Sequence, residues 1–295
     1  MVRKFFVLGL ILVFTLGTIS SVFANEVSNA LTKEAIMAPE FGPDALTDAQ
    51  IEFLRQNPDL AKKRTAKDLE YLRNRTEQAL LEAVINDSKR GDVSTSSTTL
   101  IVRKGQQYTI SAADVGNHGG STSGIGTKLH NTGTGTQAWA DARADAYGVG
   151  RAGAWAYVGK RIKAEGSFSG EKIPVVITYR GHARGMVHGS AYAGYGAAGE
   201  GRVKVVAVDL SSGTIAAEAP IWTGASSDGQ QRNCDVSINR QLSFFLISGR
   251  EYMLYESVGV DGYSLGADGY GTGQFYNNAR GGRGIDWTSI HVDAR

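Results

Sequence analysis

The chain has 295 residues, 42% hydrophobic and 20% charged, so it can bury a sizeable core, and its formal net charge is only +2. No dense basic block stands out, which excludes the long-range pull of a nucleic-acid binder. Cys234 is the only cysteine, so no intrachain disulfide forms and stability must come from the core and hydrogen-bonded ladders.

The amino terminus reads as a secretory leader over residues 1–24. Arg3 and Lys4 form a charged start, Phe5–Ile19 an apolar run, and Val22-Phe23-Ala24 a small-residue cleavage site. Loss of this leader makes the mature chain nearly neutral and leaves no segment able to span a membrane. The expected location is secreted, periplasmic or cell-surface. In that setting a lone Cys234 is expected to be buried and inert.

Residues 25–92 are helical in character. Thr47 to Gln50 spells a capping box ahead of Ile51 and Leu54, and Asn57-Pro58 reads as an N-cap with proline at the first helical position. The best helix opens at Thr65, with Leu69, Leu72, Ala79, Leu80, Ala83 and Val84 on one stripe, and ends at Gly91. That stripe needs a partner: its own β region, or a second copy through self-association. The basic run Lys62-Lys63-Arg64 reads as a solvated helix end.

At Val93 the composition changes. A Ser/Thr-rich run, Val93–Thr99, precedes a region with 34 of the 38 glycines and all four tryptophans. Strands are expected near 99–103, 106–112, 136–147, 151–164, 173–192, 202–210, 234–247, 251–260 and 286–292. This pattern predicts a mainly β fold: an antiparallel, jelly-roll-like β-sandwich over 93–295, preceded by a small, separable helical region. Val115–Gly135 is expected to be a long loop and Ser257–Gly284 a second glycine-rich region, with an echo of Asp261-Gly-Tyr263 in Asp268-Gly-Tyr270. The segment from Lys172 is too long for one regular strand and should bend near Gly181 or Gly185.

Thr136–Ala164 carries the clearest period. Alanines hold the even positions from Ala138 to Ala146, against Trp139, Asp141, Arg143, Asp145 and Tyr147; after Gly148-Val149-Gly150 the alternation resumes in phase. A three-residue turn would preserve that parity, so a hairpin is expected, with Arg143 opposite Trp155 and Asp141 opposite Tyr157. Burying its charged face would cost several kcal/mol per unpaired ion, so the alanines are expected inside and the aromatic and charged residues outside.

Aromatic rings mixed with ions and amides suit sugar rings or a protein surface. The candidate ligand-binding residues are Trp139, Asp141, Arg143, Trp155, Tyr157, His182, Arg184, His188 and Tyr192. An ordinary solvent face made of cross-strand pairs is the competing reading. Asp141 and Asp145 lie roughly 13 Å apart along a strand, beyond the ~5–9.5 Å of glycosidase carboxylates. No nucleophile elbow, phosphate loop, dinucleotide fingerprint or zinc spacing occurs. No cofactor is expected. The alternatives are calcium at the Asp261–Asp268 loop, whose spacing does not match an EF-hand, and a metal held by His182 and His188, which lie about 20 Å apart in a straight strand and would meet only if it bends sharply.

The expectation is an exported, non-catalytic protein binding carbohydrate or another cell-envelope component through the aromatic and charged strand face. The alternatives are a self-assembling surface protein packing through flat Ala/Gly faces, and a hydrolase of unrecognised type.

Overall fold

The computed structural model describes residues 37, 46–89, 99–124, 127–133, 138–191, 196–227, 229–276 and 284–295. The leader, most of the Ser/Thr-rich run and Tyr192 lie outside them.

Helix α1 spans Asp48–Gln56 and carries the expected capping box. The Gln50 amide donates to Thr47 Oγ1 at 3.3 Å, and the Thr47 amide donates to Gln50 Oε1 at 2.9 Å. Helix α2 starts at the expected proline and runs unbroken over Pro58–Lys89, straight through the second start that Thr65 suggests. Thr65 turns its hydroxyl back onto Ala61 O at 2.9 Å instead of capping. The basic run is not wholly solvated: Arg64 is fully buried and holds Asp68 at 2.8 Å.

Eleven strands follow among the described residues: β1 Leu100–Arg103, β2 Gln107–Ser111, β3 Asn117–Gly124, β4 Thr127–Gly133, β5 Ala138–Glu165, β6 Lys172–Ala191, β7 Ala197–Asp209, β8 Thr214–Ser226, β9 Arg232–Ile247, β10 Glu251–Phe275 and β11 Gly284–Ala294. The expected hairpin does not form. Ala138–Glu165 instead forms one continuous 28-residue strand, β5. An uninterrupted strand preserves parity across Gly148-Val149-Gly150 as well as a three-residue turn does. What decides between them is the partner: β10 pairs with β5 on both sides of the break, from Phe275↔Ala142 to Glu251↔Lys163. Arg143 therefore lies opposite Gln274, and Trp155 opposite Gly259. The expected loop Val115–Gly135 contains β3 and β4, which pair with β5.

All eleven strands belong to one hydrogen-bonded sheet, folded over into a β-sandwich. One layer runs β3-β5-β10-β7-β8 and the other β2-β11-β6-β9. Apart from the parallel pair β1–β5, these pairings are antiparallel. The layers join at a crease, where β10 leaves β7 and pairs with β6, from Gly269↔Ala191 to Gln274↔Met186, and where β11 touches β5 at Ile285↔Ala140.

The core lies between the layers. Even positions of β5 and β10 meet odd positions of β6 there, among them Ala140, Ala144, Ala154, Leu254, Val258, Ile177 and Val187, all fully buried. Each large aliphatic side chain so buried contributes about 1.5–3 kcal/mol. Small residues line the inside of the crease because a large one fills it. A Cβ on Gly185 would lie 2.4 Å from the Phe275 ring, and one on Gly201 2.7 Å from it. Side-chain hydrogen bonds also tie the layers, among them Tyr179 Oη donating to Val206 O at 2.9 Å and Ile247 N donating to Tyr252 Oη at 2.8 Å.

Helix α2 forms a third layer. Its stripe packs on the outer face of β5, β10 and β7, with Leu80 and Val84 against Trp155, Tyr157, Val206, Met253 and Tyr255, and Leu69 and Leu72 against Ala198, Tyr263 and Leu265. The expected partner within the chain's own β region is the one observed.

Candidate functional site

The outer side of the crease gathers most of the candidate residues. Strand pairing places side chains on common rows, because register partners share a face. One row runs Trp139 (β5), Asp286 (β11), His182 (β6), Ser237 (β9). Arg184 and Asp235 form the next pair. Further along, β10 takes the place of β11, giving Arg143–Gln274–Met186, then Asp145–Thr272–His188, then Tyr147–Tyr270–Ser190. Residues far apart in sequence thus form one strip across the fold.

The strip has two centres. At the first, His182 Nε2 lies 2.6 Å from Asp235 Oδ1, and Arg184 Nε lies 3.2 Å from that imidazole nitrogen. The hydrogen bond to His182 holds the Asp235 carboxyl below its ordinary range. At the second, the carboxylate of Asp145 is fully buried beneath larger neighbours. It accepts from Arg143 Nε at 2.6 Å, from Thr272 Oγ1 and from Gln274 Nε2 at 3.5 Å. That bond to Asp145 raises the Arg143 pKa. Over this polar floor stand two phenol rings, Tyr147 and Tyr270, with centroids 4.9 Å apart and planes at 31°. The His188 ring lies 6.1 Å from Tyr270. Tyr147 is 54% exposed. Partial burial, then the Asp145 charge, pushes its phenol pKa up.

Trp155 and Tyr157 do not join this strip. The expectation that they face solvent is corrected: they lie on the same face of β5 as Tyr147, but α2 covers that face, leaving Trp155 6% and Tyr157 0% exposed. Asp141 is also buried, at the edge of the strip beside Gly284. The burial of charge that argued against covering this face is met by pairing. Arg202 holds Asp261 at 2.6 Å and Glu200 at 3.1 Å, Arg73 reaches Glu200 at 3.3 Å, and Thr76 donates to Asp261 at 2.8 Å. Nearby, Tyr263 donates to Asp68 at 2.6 Å. Trp155→Ala is therefore expected to destabilise the fold by about 3–5 kcal/mol. A urea titration checks this; a loss under about 1 kcal/mol would mean the ring is not part of the packed seam.

Sequence reasoning missed Tyr270, Gln274, Asp235 and Asp286, which belong to strands or strand segments not expected to reach this face. Tyr270 carried a signal, as the second member of the Asp-Gly-Tyr echo. The histidines do not converge: His118 pairs with Thr132 at 2.7 Å and His291 with Thr109 at 3.2 Å. Asp261, one end of the loop considered for calcium, is committed to Arg202 and Thr76. Cys234 is buried, and burial pushes its thiol up to about 12, which leaves it unreactive. No helix among the described residues is long and apolar enough to cross a membrane.

No family model and no curated protein matches this chain. Solved structures give slight likenesses. The glycoside hydrolase domain of Endo-D from Streptococcus pneumoniae R6 aligns at 9% identity and TM-score 0.24, over 59% of this chain and 21% of that one. A xylan-binding domain of carbohydrate-binding family 22 aligns at 10% identity and TM-score 0.19, over 57% and 86%. The family 11 carbohydrate-binding module of a Clostridium thermocellum cellulosomal cellulase aligns at 9% identity and TM-score 0.20, over 64% and 95%. Likenesses this slight decide neither fold nor ligand.

Proposed function

We propose that this chain is an exported, non-catalytic binding protein that holds carbohydrate of the cell envelope or its surroundings along the outer crease. The observation that carries the reading is the ring pair of exposed Tyr147 and half-buried Tyr270 over a floor of Asp145, Arg143 and Gln274. A sugar ring offers an apolar C–H face to an aromatic platform and hydroxyls to the ions and amides around it. Both signs of charge alternate along the strip, which suits a neutral glycan. Asp145 is held by Arg143, and Asp235 by His182. Such engaged carboxylates favour positioning of hydroxyls over proton transfer. The alternative of packing through flat Ala/Gly faces loses its surface, since the alanine face of β5 lines the core.

A glycan array probed with the full-length protein, followed by calorimetry on the best binder, tests this reading. Tyr147→Ala is expected to leave stability within about 0.5 kcal/mol and to weaken binding at least about tenfold, or ~1.4 kcal/mol. Unchanged affinity in this variant, or no glycan bound at all, would remove the crease as the site.

A further inference from the structure

One carboxyl in the core stands apart from the paired ions beneath α2. Glu256 of β10 is fully buried between the layers, and neither of its carboxyl oxygens has a hydrogen-bond partner among the described residues. Its register partners are Val158 of β5 and Val205 of β7. The carboxyl crosses the sandwich to β6, where Gly181 makes room for it. A Cβ on Gly181 would stand 3.0 Å from Glu256 Oε2 and 2.5 Å from the backbone oxygen of Asp286. Directly opposite Gly181 in the β11 ladder is Trp287, 4% exposed, whose indole Nε1 is also buried without a partner. The β11 register shifts just after Trp287, so the ladder there is locally open.

Leaving a buried polar atom without a partner is costly, and the two carboxyl oxygens and the indole N–H, set around Gly181, call for a shared partner. The indole can only donate, a neutral carboxyl both donates and accepts, and a carbonyl oxygen only accepts. We propose that Glu256 and Trp287 form an interior hydration site, in which one water molecule beside Gly181 bridges the carboxylic acid, the indole N–H and the Asp286 carbonyl. Buried waters typically make two to four such bonds. The site lies directly behind the Trp139–Asp286–His182 row and ties the two layers through a group other than Tyr179.

The carboxyl must be neutral to play this part. Burial alone raises its pKa well above the ordinary carboxylate value. Tyr179 of β6 is the titratable group interacting with it, and burial first, then Glu256, raises that phenol in turn. Val158, Val205, Leu254 and Val258 bring no charge. A group with a raised folded pKa stabilises most below its unfolded pKa, about 4.3. Above that value the folded state holds a proton that the unfolded state releases, and stability falls as pH rises toward the folded pKa.

Two measurements on the full-length protein test the site. Melting between pH 5 and pH 8 should show Tm falling by roughly 3 °C or more per pH unit from this group, and Glu256→Gln should remove that fall. An unchanged slope in Glu256→Gln would overturn the neutral carboxyl. The Tm shifts of Glu256→Leu, Trp287→Phe and the double variant should be non-additive, since both singles release the same water. Additive shifts would overturn the bridge. Should Glu256→Leu fail to fold, a crystal structure of the wild type decides: density within about 2.7–3.2 Å of both groups supports the site, and its absence refutes it.

Discussion

A chain beginning at Val93 is expected to lose cooperative folding. The helices cover Trp155, Tyr157, Val206, Val208, Met253, Tyr255, Ala198, Tyr263 and Leu265, all buried. At about 1.5–3 kcal/mol for each large side chain, uncovering half of them removes on the order of 10 kcal/mol. That equals the whole stability of an ordinary domain, about 5–15 kcal/mol. The Ser/Thr-rich run suggests a separable β region, but the face it would expose carries two apolar clusters and a buried ion network. The expected readouts are a broad thermal transition, dye binding and aggregation. A sharp melt with a monomeric profile would show that the β region stands alone and that α2 is an accessory.

The second large effect is expected from the ion network beneath α2. Asp261→Ala leaves Arg202, 4% exposed, without its closest counter-ion and Thr76 without its acceptor. Removing one partner of a buried pair costs about 3–5 kcal/mol, mostly from the charge left behind. Replacing both partners, as in Arg202→Met with Asp261→Leu, is expected to restore much of that loss, because the desolvation penalty goes with them. Urea titrations of the two singles and the double measure this directly. A mild Asp261→Ala, below about 1 kcal/mol, would mean that Glu200 and Glu77 suffice to hold Arg202.

What the sequence revealed follows from the range of the interactions concerned. The capping box at Thr47, the start of α2 at Pro58 and the alternation of β5 are local, and each appears where the residues place it. The hairpin error was one of partners. Parity across Gly148–Gly150 fits a reversal and a straight run equally, and only β10, about a hundred residues on, distinguishes them. Trp155 and Tyr147 have the same chemistry and parity, yet α2 buries the first and leaves the second 54% exposed. No periodicity in β5 encodes where a helix from elsewhere will end. Strands β3 and β4 were missed because Gly, Ser and Thr there read as a loop, while the edge of β5 supplies the pairing that makes them strands.

The central pairing also sets when this protein can fold. The inner edge of β5 finds its long partner in β10, so about ninety to a hundred and thirty residues must be made between the first strand of the pair and the second. Until residue 275 is present, an emerging chain carries a long strand with an unpaired edge and an unclosed crease. Contacts of such span are slow to form, typically milliseconds to seconds even for smaller β proteins, and expose strand edges to misassembly meanwhile. The same delay keeps the chain threadable while it is being made, because nothing at its centre locks before the last fifty residues arrive.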